Sequence, residues 1–339
     1  MKSNMFYIKR NPAGIAEAHE FSSGDYALAQ ARIVDELLTE YSIGYRNQAF
    51  IGDKHFPVVK MDKRSGRIPT FGEEIFKSYV TTRALGAPVQ HISTQEGYTQ
   101  ASLSEHSLGF DIDRQILDEW AGTVDQLLLS KQTQVSAGIG LDRELQHAQL
   151  ATTPGNYASG LSSTPSLKWS ANGDAYADID GRITDIVKAC GQRPVVMSVS
   201  YGAYLLLKRN KAILDRIRYQ GTQGAPAQVT PLTLQALFDI PEVNIGMAIV
   251  GTGVEGGVNQ TALTHSFVWD YFQTNCVALA VKGVGWMQLS FGYTYQKTDS
   301  PIVESWWDNK TKSQQYDEQH FFDALAVSNK SGGLLYGMS

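Results

Sequence analysis

The chain is short of the groups on which most protein chemistry depends. Its 339 residues include only two cysteines, Cys190 and Cys276, and seven histidines that are scattered along the sequence. Neither cysteine has a partner at the spacing of a zinc site. Both stand in apolar contexts, which predicts buried free thiols and a reducing compartment. Glu144 and His147 have the spacing of a helical di-iron ligand pair, but such a site needs a second copy of the pair, so we expect no metal site.

Basic charge and long apolar runs are scarce as well. The net charge is −5, which excludes a global positive field for nucleic acid. The longest apolar run, residues 277–290, is broken by Lys282 and two glycines. It is too short to span a bilayer and predicts a strand. With 42% hydrophobic and 19% charged residues, the chain has the composition of a globular protein, and its length suggests about two domains.

Two patterns suggest catalytic loops but lack the context that those loops need. Gly251, Gly253 and Gly256 match G-x-G-x-x-G after a predicted strand, yet no helical pattern follows, and a dinucleotide site requires one. Ser200 stands at a strand-to-helix turn, where a hydrolase nucleophile would lie, but Ser198 occupies the position that needs glycine. We expect a flexible loop tip at the glycines and a helix cap at Ser200. An enzyme that uses either motif is the less favoured alternative.

Tryptophans near predicted strand ends would suit a stacking platform for a nucleic acid or a sugar. They are Trp269, which Asp270 follows, and the pair Trp306 and Trp307, which Asp308 follows. No basic groove accompanies them in the sequence. We therefore interpret these tryptophans as packing residues.

Helical periodicity is strongest over residues 111–136, where an apolar stripe predicts a long helix. Asp111 or Asp113 can cap its first turn. Gly138 and Gly140 are expected to stop it. Further helices are predicted at 26–41 and 141–150.

After Trp169 the pattern alternates between helix and strand, as in an α/β layer. The predicted elements are a helix that ends at Gly191, a strand over 195–199, helices that begin at Ser200 and Thr230, and a strand over 243–250. Strand and loop patterns follow from residue 275 onward.

Residues 54–105 form a polar excursion with strand patterns at 56–61, 78–82 and 94–104. Its first part reverses the charge of the chain. Residues 54–83 contain seven basic and three acidic residues, a net charge of +4: Lys54, Lys60, Lys63, Arg64, Arg67, Lys77 and Arg83 against Asp62, Glu73 and Glu74. A two-stranded excursion is marginal in water on its own, so we expect it to lie on another surface.

Taken in order, these pieces resemble the major capsid proteins of tailed bacteriophages, which have the Hong Kong 97-like fold. The likeness covers nearly the whole chain and is weakest over residues 1–50. The segments that carry it are LDRELQHA (141–148), LKWSANGDAYADIDGRI (167–183), GQRPVVMSVSYGAYLLLKRNKAILDRIRY (191–219), VWDYFQTNCVALAV (268–281) and the closing stretch 302–337.

The resemblance implies an α+β fold in four parts and a structural role, with no catalysis and no cofactor. The parts are an N-terminal arm (1–53), an extended β loop (54–108), a peripheral domain with a spine helix (109–174 and 266–339) and an α/β axial domain (175–265). The extended loop would lie on a neighbouring copy. Its candidate interface residues are Lys60, Lys63, Arg64, Arg67, Glu73, Glu74 and Lys77.

The resemblance also implies the partners and the location. Copies of the chain would form pentamers and hexamers of an icosahedral head shell that encloses the genome. We expect a separate scaffolding protein, because residues 1–53 leave no room for a cleaved scaffolding region. We also expect a portal and decoration proteins as partners, and weak contact with packaged DNA. We expect no contact with a membrane. Assembly would occur in the host cytoplasm, and the product would be the virion. A bacterial encapsulin compartment is the alternative on the same fold.

Overall fold

A computed structural model describes residues 6–10, 16–20, 33–45, 47–70, 81–83, 89, 97–120, 123–171, 173–220, 228–252, 264–283, 285 and 288–339. The helices are α1 (Glu36–Gly44), α2 (Gly52–His55), α3 (Arg114–Glu119), α4 (Val124–Thr152), α5 (Ala175–Cys190), α6 (Tyr201–Arg209), α7 (Lys211–Gln220), α8 (Pro231–Phe238) and α9 (Val268–Tyr271). The strands are β1 (Phe6–Arg10), β2 (Ala16–Glu20), β3 (Ile33–Val34), β4 (Val58–Met61), β5 (Ser65–Thr70), β6 (Gly97–Ser102), β7 (Ser104–Asp113), β8 (Ser162–Ser163), β9 (Val196–Ser200), β10 (Glu242–Gly246), β11 (Ile249–Thr252), β12 (Thr264–Phe267), β13 (Val277–Ala280), β14 (Gly292–Lys297), β15 (Ile302–Asp308), β16 (Ser313–Ala326) and β17 (Gly332–Leu335).

A six-stranded sheet is built around β16, its longest strand. The order is β3-β15-β16-β14-β4, and β7 pairs along β16 as well. β16 is antiparallel to β15, β14 and β7, whereas β4 joins β14 in parallel. Alternate residues of β16 point to one face, where Tyr316 packs with Leu127 and Leu128 of α4 and Phe322 packs with Val135 and Ile139. The long helix therefore lies along one face of this sheet.

A five-stranded sheet, in the order β10-β9-β13-β17-β8, forms the second layer. β9 and β10 are parallel, and β13 lies antiparallel between β9 and β17. Every residue of β9, β13 and β17 is buried. This continuous burial is typical of strands that are covered on both faces, and it accounts for the near-unbroken apolar run at 195–199 in the sequence.

The prediction for the long helix was wrong at both ends. Residues 104–113 form β7, and Asp113 caps the short helix α3 by accepting from the Gln115 amide at 2.8 Å. The long helix α4 begins after its own cap, Thr123, and runs to Thr152. This helix continues through Gly138 and Gly140. Residues 141–150, which were expected to form a separate helix, are therefore part of α4.

Tertiary packing explains why the two glycines do not stop α4. A Cβ at Gly138 would approach Leu108 Cδ2 to 3.0 Å, and a Cβ at Gly140 would approach Phe50 Cε2 to 2.8 Å. The missing side chains allow β7 and the 47–50 segment to approach the helix closely. These contacts override the intrinsic cost of glycine within a helix, about 1 kcal/mol per residue.

The predicted helix boundaries of the α/β region are confirmed. Gly191 ends α5 in the left-handed conformation, with φ of 72°. The Ser200 side chain caps α6 by accepting from the Ala203 amide, and Thr230 caps α8 in a reciprocal capping box with Thr233. Each of these helix ends depends on residues a few positions away, and each forms at the position that the sequence predicted.

Two other expectations need correction. The strand predicted over 243–250 is two strands: β10 belongs to the five-stranded sheet, and β11 pairs with β12 instead. Within the predicted helix 26–41, residues 33–34 form β3, and α1 begins only after Asp35, which accepts from the Leu38 amide. Residues 26–32 lie outside the described residues.

The strands expected at 56–61 and 94–104 are confirmed as β4 and β6. The excursion contains a further strand, β5, that was not expected. Residues 81 and 82 of the strand expected at 78–82 are not in a strand, and 78–80 lie outside the described residues. Among the helices that the structure describes, none has the length and apolarity needed to cross a membrane.

Candidate subunit-interface surfaces

The hairpin of β5 and β6 stands on a small apolar base. Ser65–Thr70 pairs antiparallel with Gly97–Ser102. Near its base, Ile68 and Ala101 pack with Tyr293 and Tyr295 of the six-stranded sheet. Farther out, Tyr98 is 56% exposed. The described part of the hairpin therefore packs on the six-stranded sheet through Ile68 and Ala101, and Tyr98 remains exposed.

The basic candidates of the excursion fall into different surroundings. Lys63, Arg64 and Arg67 are exposed. Arg64 lies 3.8 Å from the Glu105 carboxylate and 4.3 Å from the centre of the Phe321 ring, so it already contacts its own subunit. Lys63 and Arg67 extend from the turn and from β5. The candidates Glu73, Glu74 and Lys77 lie outside the described residues.

Lys60 lies in β4 and lines a groove of about 1100 Å³ between the 42–54 segment, α4 and the six-stranded sheet. Its Nζ donates to the Ser300 carbonyl at 3.5 Å. Lys54 and Arg143 line the same groove, and Arg143 pairs with Asp53 at 2.5 Å. Lys60 is therefore placed at a groove of its own subunit and not on the outer part of the hairpin.

A buried junction around Glu144 joins the two sheets. The Glu144 carboxylate accepts from the amides of Ile51 and Gly52, at 2.9 and 2.8 Å. It also accepts from Trp269 Nε1 at 2.7 Å. These bonds tie α2 and α9 to the middle of α4. Burial raises the pKa of Glu144, while the three donors act in the opposite direction.

Two buried histidines complete this junction. His55 Nδ1 and the Ser198 hydroxyl are 2.9 Å apart, and His147 Nε2 lies 2.7 Å from the Thr294 hydroxyl. The pKa of His55 is lowered to about 3, mainly by burial and to a smaller extent by His147 and Lys282. Burial also lowers the pKa of His147 well below 6.5, with a smaller contribution from Arg143. Both imidazoles are therefore neutral near pH 7.

The Glu144–His147 pair thus has a structural role. Both carboxylate oxygens of Glu144 and one ring nitrogen of His147 already have protein partners, and the Phe56 ring stacks on His147 at 5.4 Å. In the part of the chain that the structure describes, no group of three or more His, Cys, Asp or Glu side chains is arranged to hold a metal ion.

A second polar cluster lies between α1, α4 and β16. Glu318 is 1% exposed and accepts from Gln132 Nε2 at 2.6 Å and from the Ser136 hydroxyl at 2.8 Å. The Ser42 hydroxyl and His320 Nε2 bond to its other oxygen. This carboxylate separates two apolar clusters of the core, and it fixes the helix and the sheet in one register because its donors come from three elements.

The dinucleotide-type and hydrolase-type motifs serve the fold at the positions that the structure describes. Ser200 is buried, and its hydroxyl accepts from the amides of Ala203 and Cys276, at 3.3 and 3.0 Å. The helix-cap prediction is confirmed. Gly251 lies within β11, whereas Gly253 and Gly256 lie outside the described residues.

The packing interpretation holds for two of the tryptophans. Trp269 is fully buried and Trp307 is 4% exposed. Trp306 is half-buried and points to the opposite sheet face. The expected free thiols are also confirmed, since Cys190 and Cys276 are both buried and unlinked.

Several large apolar side chains are exposed in small groups. Ile116 and Trp120, one helical turn apart on α3 and just beyond its end, are each 43% exposed. Four more lie in or beside β11 and α9: Met247, Ile249, Tyr271 and Phe272. Leu232 of α8 is exposed as well. Exposed apolar groups of this kind are typical of surfaces that other protein molecules cover.

Comparison with known proteins decides the family. The chain is 32% identical to the major capsid protein of Burkholderia phage BcepMu over 289 residues, which cover 82% of this chain and 88% of that protein. The chain belongs to the major capsid proteins of bacteriophages. No protein-family model matches it. A family of shell proteins has a structural role, and its place is the capsid of the virion.

Solved structures agree with this family. A phage-related protein from Bordetella bronchiseptica RB50 superimposes with a TM-score of 0.72 at 26% identity, over 91% of this chain and 99% of that one. The mature capsid of bacteriophage PhiM1 gives a TM-score of 0.52 at 11% identity, over 86% and 87% of the two chains, which supports the fold alone. The expected Hong Kong 97-like α+β fold is confirmed, and the phage capsid is better supported than the encapsulin alternative.

Proposed function

We propose that this capsid protein builds the head shell of a tailed phage by self-assembly and that the β5–β6 hairpin is an arm that lies on a neighbouring copy. The observation that carries the proposal is the exposure of Tyr98 on this hairpin together with the exposed cations Lys63 and Arg67. Two-stranded ribbons are marginally stable in water without a surface to cover them. A neighbouring copy supplies such a surface in a shell.

Charge supports the same role for the hairpin. Lys63 and Arg67 are exposed on a protein whose net charge is −5, so a neighbouring copy presents an acidic surface on average. Complementary charge across an interface sets orientation and association rate more than affinity. Arg64 serves the fold through Glu105 and Phe321. We therefore assign the intersubunit role to Lys63 and Arg67 and treat Glu73, Glu74 and Lys77 as further candidates.

Apolar contacts would supply most of the affinity between copies. The Ile116–Trp120 pair on and just after α3 and the group near β11 and α9 are separated in sequence and lie on different elements. Two different exposed surfaces fit a head-to-tail contact, which closes into rings such as pentamers and hexamers. Many such contacts repeated over a shell add to a large total even where each is weak.

The remaining assignments follow the resemblance to the family. We propose the division into an arm (1–53), an extended loop (54–108), a peripheral domain (109–174 and 266–339) and an axial domain (175–265). A separate scaffolding protein, a portal and decoration proteins are proposed partners. Assembly in the host cytoplasm is proposed on the same basis.

Assembly of purified protein tests the proposal. Size exclusion and negative-stain microscopy of concentrated protein, with and without a candidate scaffolding protein, should show pentamers, hexamers or shells. The double variant Lys63→Glu with Arg67→Glu should assemble poorly and keep the melting temperature of the wild type, because both side chains are exposed.

A double variant of Lys310→Glu with Lys312→Glu, in the exposed turn before β16, makes the same change in net charge and serves as the control. A strictly monomeric wild-type protein under all of these conditions would contradict the shell function. Normal assembly of the hairpin variant would contradict only the role of the hairpin.

A further inference from the structure

We propose that the turn between α6 and α7 is a binding surface for the phosphate backbone of double-stranded DNA. We call this surface the basic turn; it comprises Lys208, Arg209, Lys211 and Arg218. The proposal rests on the shell function in one respect, since an enclosed genome is the polyanion that the surface would meet.

The basic turn concentrates positive charge on an acidic protein. Residues 208–218 contain five basic side chains and one acidic side chain, a net charge of +4 in a chain of net charge −5. Arg218 lies 3.8 Å from Asp215, and its side chain is still 65% exposed. Lys208, Arg209 and Lys211 are exposed. Across the described residues, no carboxylate lies within ion-pair distance of these three.

Helix stabilisation accounts for only some of these cations. Lys208 and Arg209 occupy the last turn of α6, where positive charge is favourable against the helix dipole. Lys211 is the first residue of α7. A cation at that end faces the positive pole of the dipole, which is unfavourable. A residue that opposes a local rule without a compensating contact is a candidate for function.

The backbone of the basic turn is well fixed. Asn210 is 4% exposed, donates from Nδ2 to the Gly173 carbonyl at 2.8 Å and accepts from the Ala212 amide at 3.1 Å. Its hydrogen bonds hold the junction between the two helices. Lys208 also contacts its own subunit, with Nζ 4.5 Å from the centre of the Tyr204 ring. The three flanking cations therefore extend from a fixed support, and their exposed ends can reach a phosphate backbone.

Side-chain chemistry favours DNA over a protein partner. Between Tyr201 and Arg218, all of the exposed residues are the four cations of the basic turn. Protein interfaces have aromatic and apolar centres that are poor in lysine, and the basic turn offers no such centre. Contacts with phosphate need only cations and carry no sequence information. The basic turn therefore fits a polyanion that is bound without regard to base sequence.

The salt dependence of DNA binding gives a quantitative expectation for the number of phosphates that the basic turn contacts. Each phosphate neutralised on B-form DNA changes the slope of log K against log salt by about −0.9. Removing the charge of Lys208, Arg209 and Lys211 should therefore make that slope shallower by about 2.7 if all three contact phosphates.

Fluorescence anisotropy of unassembled protein with a labelled linear DNA duplex, from 50 to 300 mM NaCl, tests this expectation. The variant carries Lys208→Gln, Arg209→Gln and Lys211→Gln. The matched control carries Lys188→Gln, Lys310→Gln and Lys312→Gln, which are exposed cations on other elements. We expect the first variant to bind at least about tenfold more weakly at the lowest salt, with the shallower slope, and the control to bind like the wild type.

Three results would overturn the proposal: no salt-dependent binding by the wild type, equal losses in both triple variants, or normal DNA binding by a basic-turn variant that fails to assemble. The last result would assign the basic turn to an acidic surface of a second copy. A failure of the shell function itself would appear separately, as wild-type protein that binds DNA and never assembles.

Discussion

Acid should destabilise the folded protein through the buried histidines of the junction. His55 has a folded pKa of about 3 against an ordinary value of 6.5, and the pKa of His147 is also well below 6.5. The unfolded chain therefore binds more protons than the folded one as the pH falls through 6.5. The stability that the neutral rings contribute is fully present above that pH and is lost progressively below it.

The magnitude follows from the size of the shift. At pH 5 an unfolded histidine is almost fully protonated, whereas His55 stays neutral in the folded protein. The free energy of unfolding should fall by about 2 kcal/mol between pH 7.5 and pH 5 because of His55 alone. This loss is a large share of a typical stability of about 5–15 kcal/mol. His147 adds a loss in the same direction, because its pKa is also lowered by burial.

Non-titrating replacements isolate the effect. Asparagine at position 55 can replace the Nδ1 bond to Ser198, and glutamine at position 147 can replace the Nε2 bond to Thr294. Urea unfolding at pH 7.5, 6.5, 5.5 and 5.0 should show a pH dependence about 2 kcal/mol smaller in His55→Asn than in the wild type. His147→Gln should also show a smaller pH dependence than the wild type. His265→Asn, at an exposed position of β12, is the control and should keep the wild-type pH dependence. Equal pH dependence in all four proteins would refute the reasoning.

Two further predictions concern the same junction. Gly52→Ala should lower the free energy of unfolding by about 1–3 kcal/mol, because its Cβ would overlap the His147 ring. Gly181→Ala in α5, where a Cβ meets nothing within 4 Å, should raise it by up to about 1 kcal/mol; urea unfolding that gives both changes the same sign would contradict the packing argument. Glu144→Gln should cost about 1–3 kcal/mol, because either orientation of the amide turns an N–H group toward a donor. Asp180→Asn, at an exposed position of α5, is the control and should change the free energy of unfolding by no more than about 0.5 kcal/mol. Equal losses of stability in Glu144→Gln and Asp180→Asn would show that the Glu144 bonds contribute little.

The parts of the fold that sequence patterns predicted correctly depend on local interactions. Gly191, Ser200 and Thr230 end or cap helices through bonds to residues a few positions away. Such bonds leave a signature within one short window of sequence. These three helix ends of the α/β region were therefore predictable nearly to the residue.

Distant contacts explain the failures. Gly138 and Gly140 have the appearance of helix breakers, and only the approach of Leu108 and Phe50 shows why the helix continues. His55 had no recognisable role in the sequence because its partner, Ser198, lies 143 positions away. Glu318 was missed for the same reason. An acidic residue inside the alternating pattern of a predicted strand, at a position that should be buried, is the signal that would have found it.

The interface candidates show a different limit. Charge counting found the basic excursion, but a charge count does not separate Arg64, which binds its own subunit, from Lys63 and Arg67. The charge count also missed the basic turn. The whole chain is acidic, and the cations of the turn lie in a segment whose pattern already indicated a helix.

The position of β17 has a consequence for synthesis of the protein. This strand lies between β13 and β8, and β8 is joined to the sheet only through β17 among the described strands. While a ribosome is still translating residues before 332, β13 therefore presents an open edge, and residues 162–163 have no strand to join. The α/β layer reaches its final shape only after β17 has emerged.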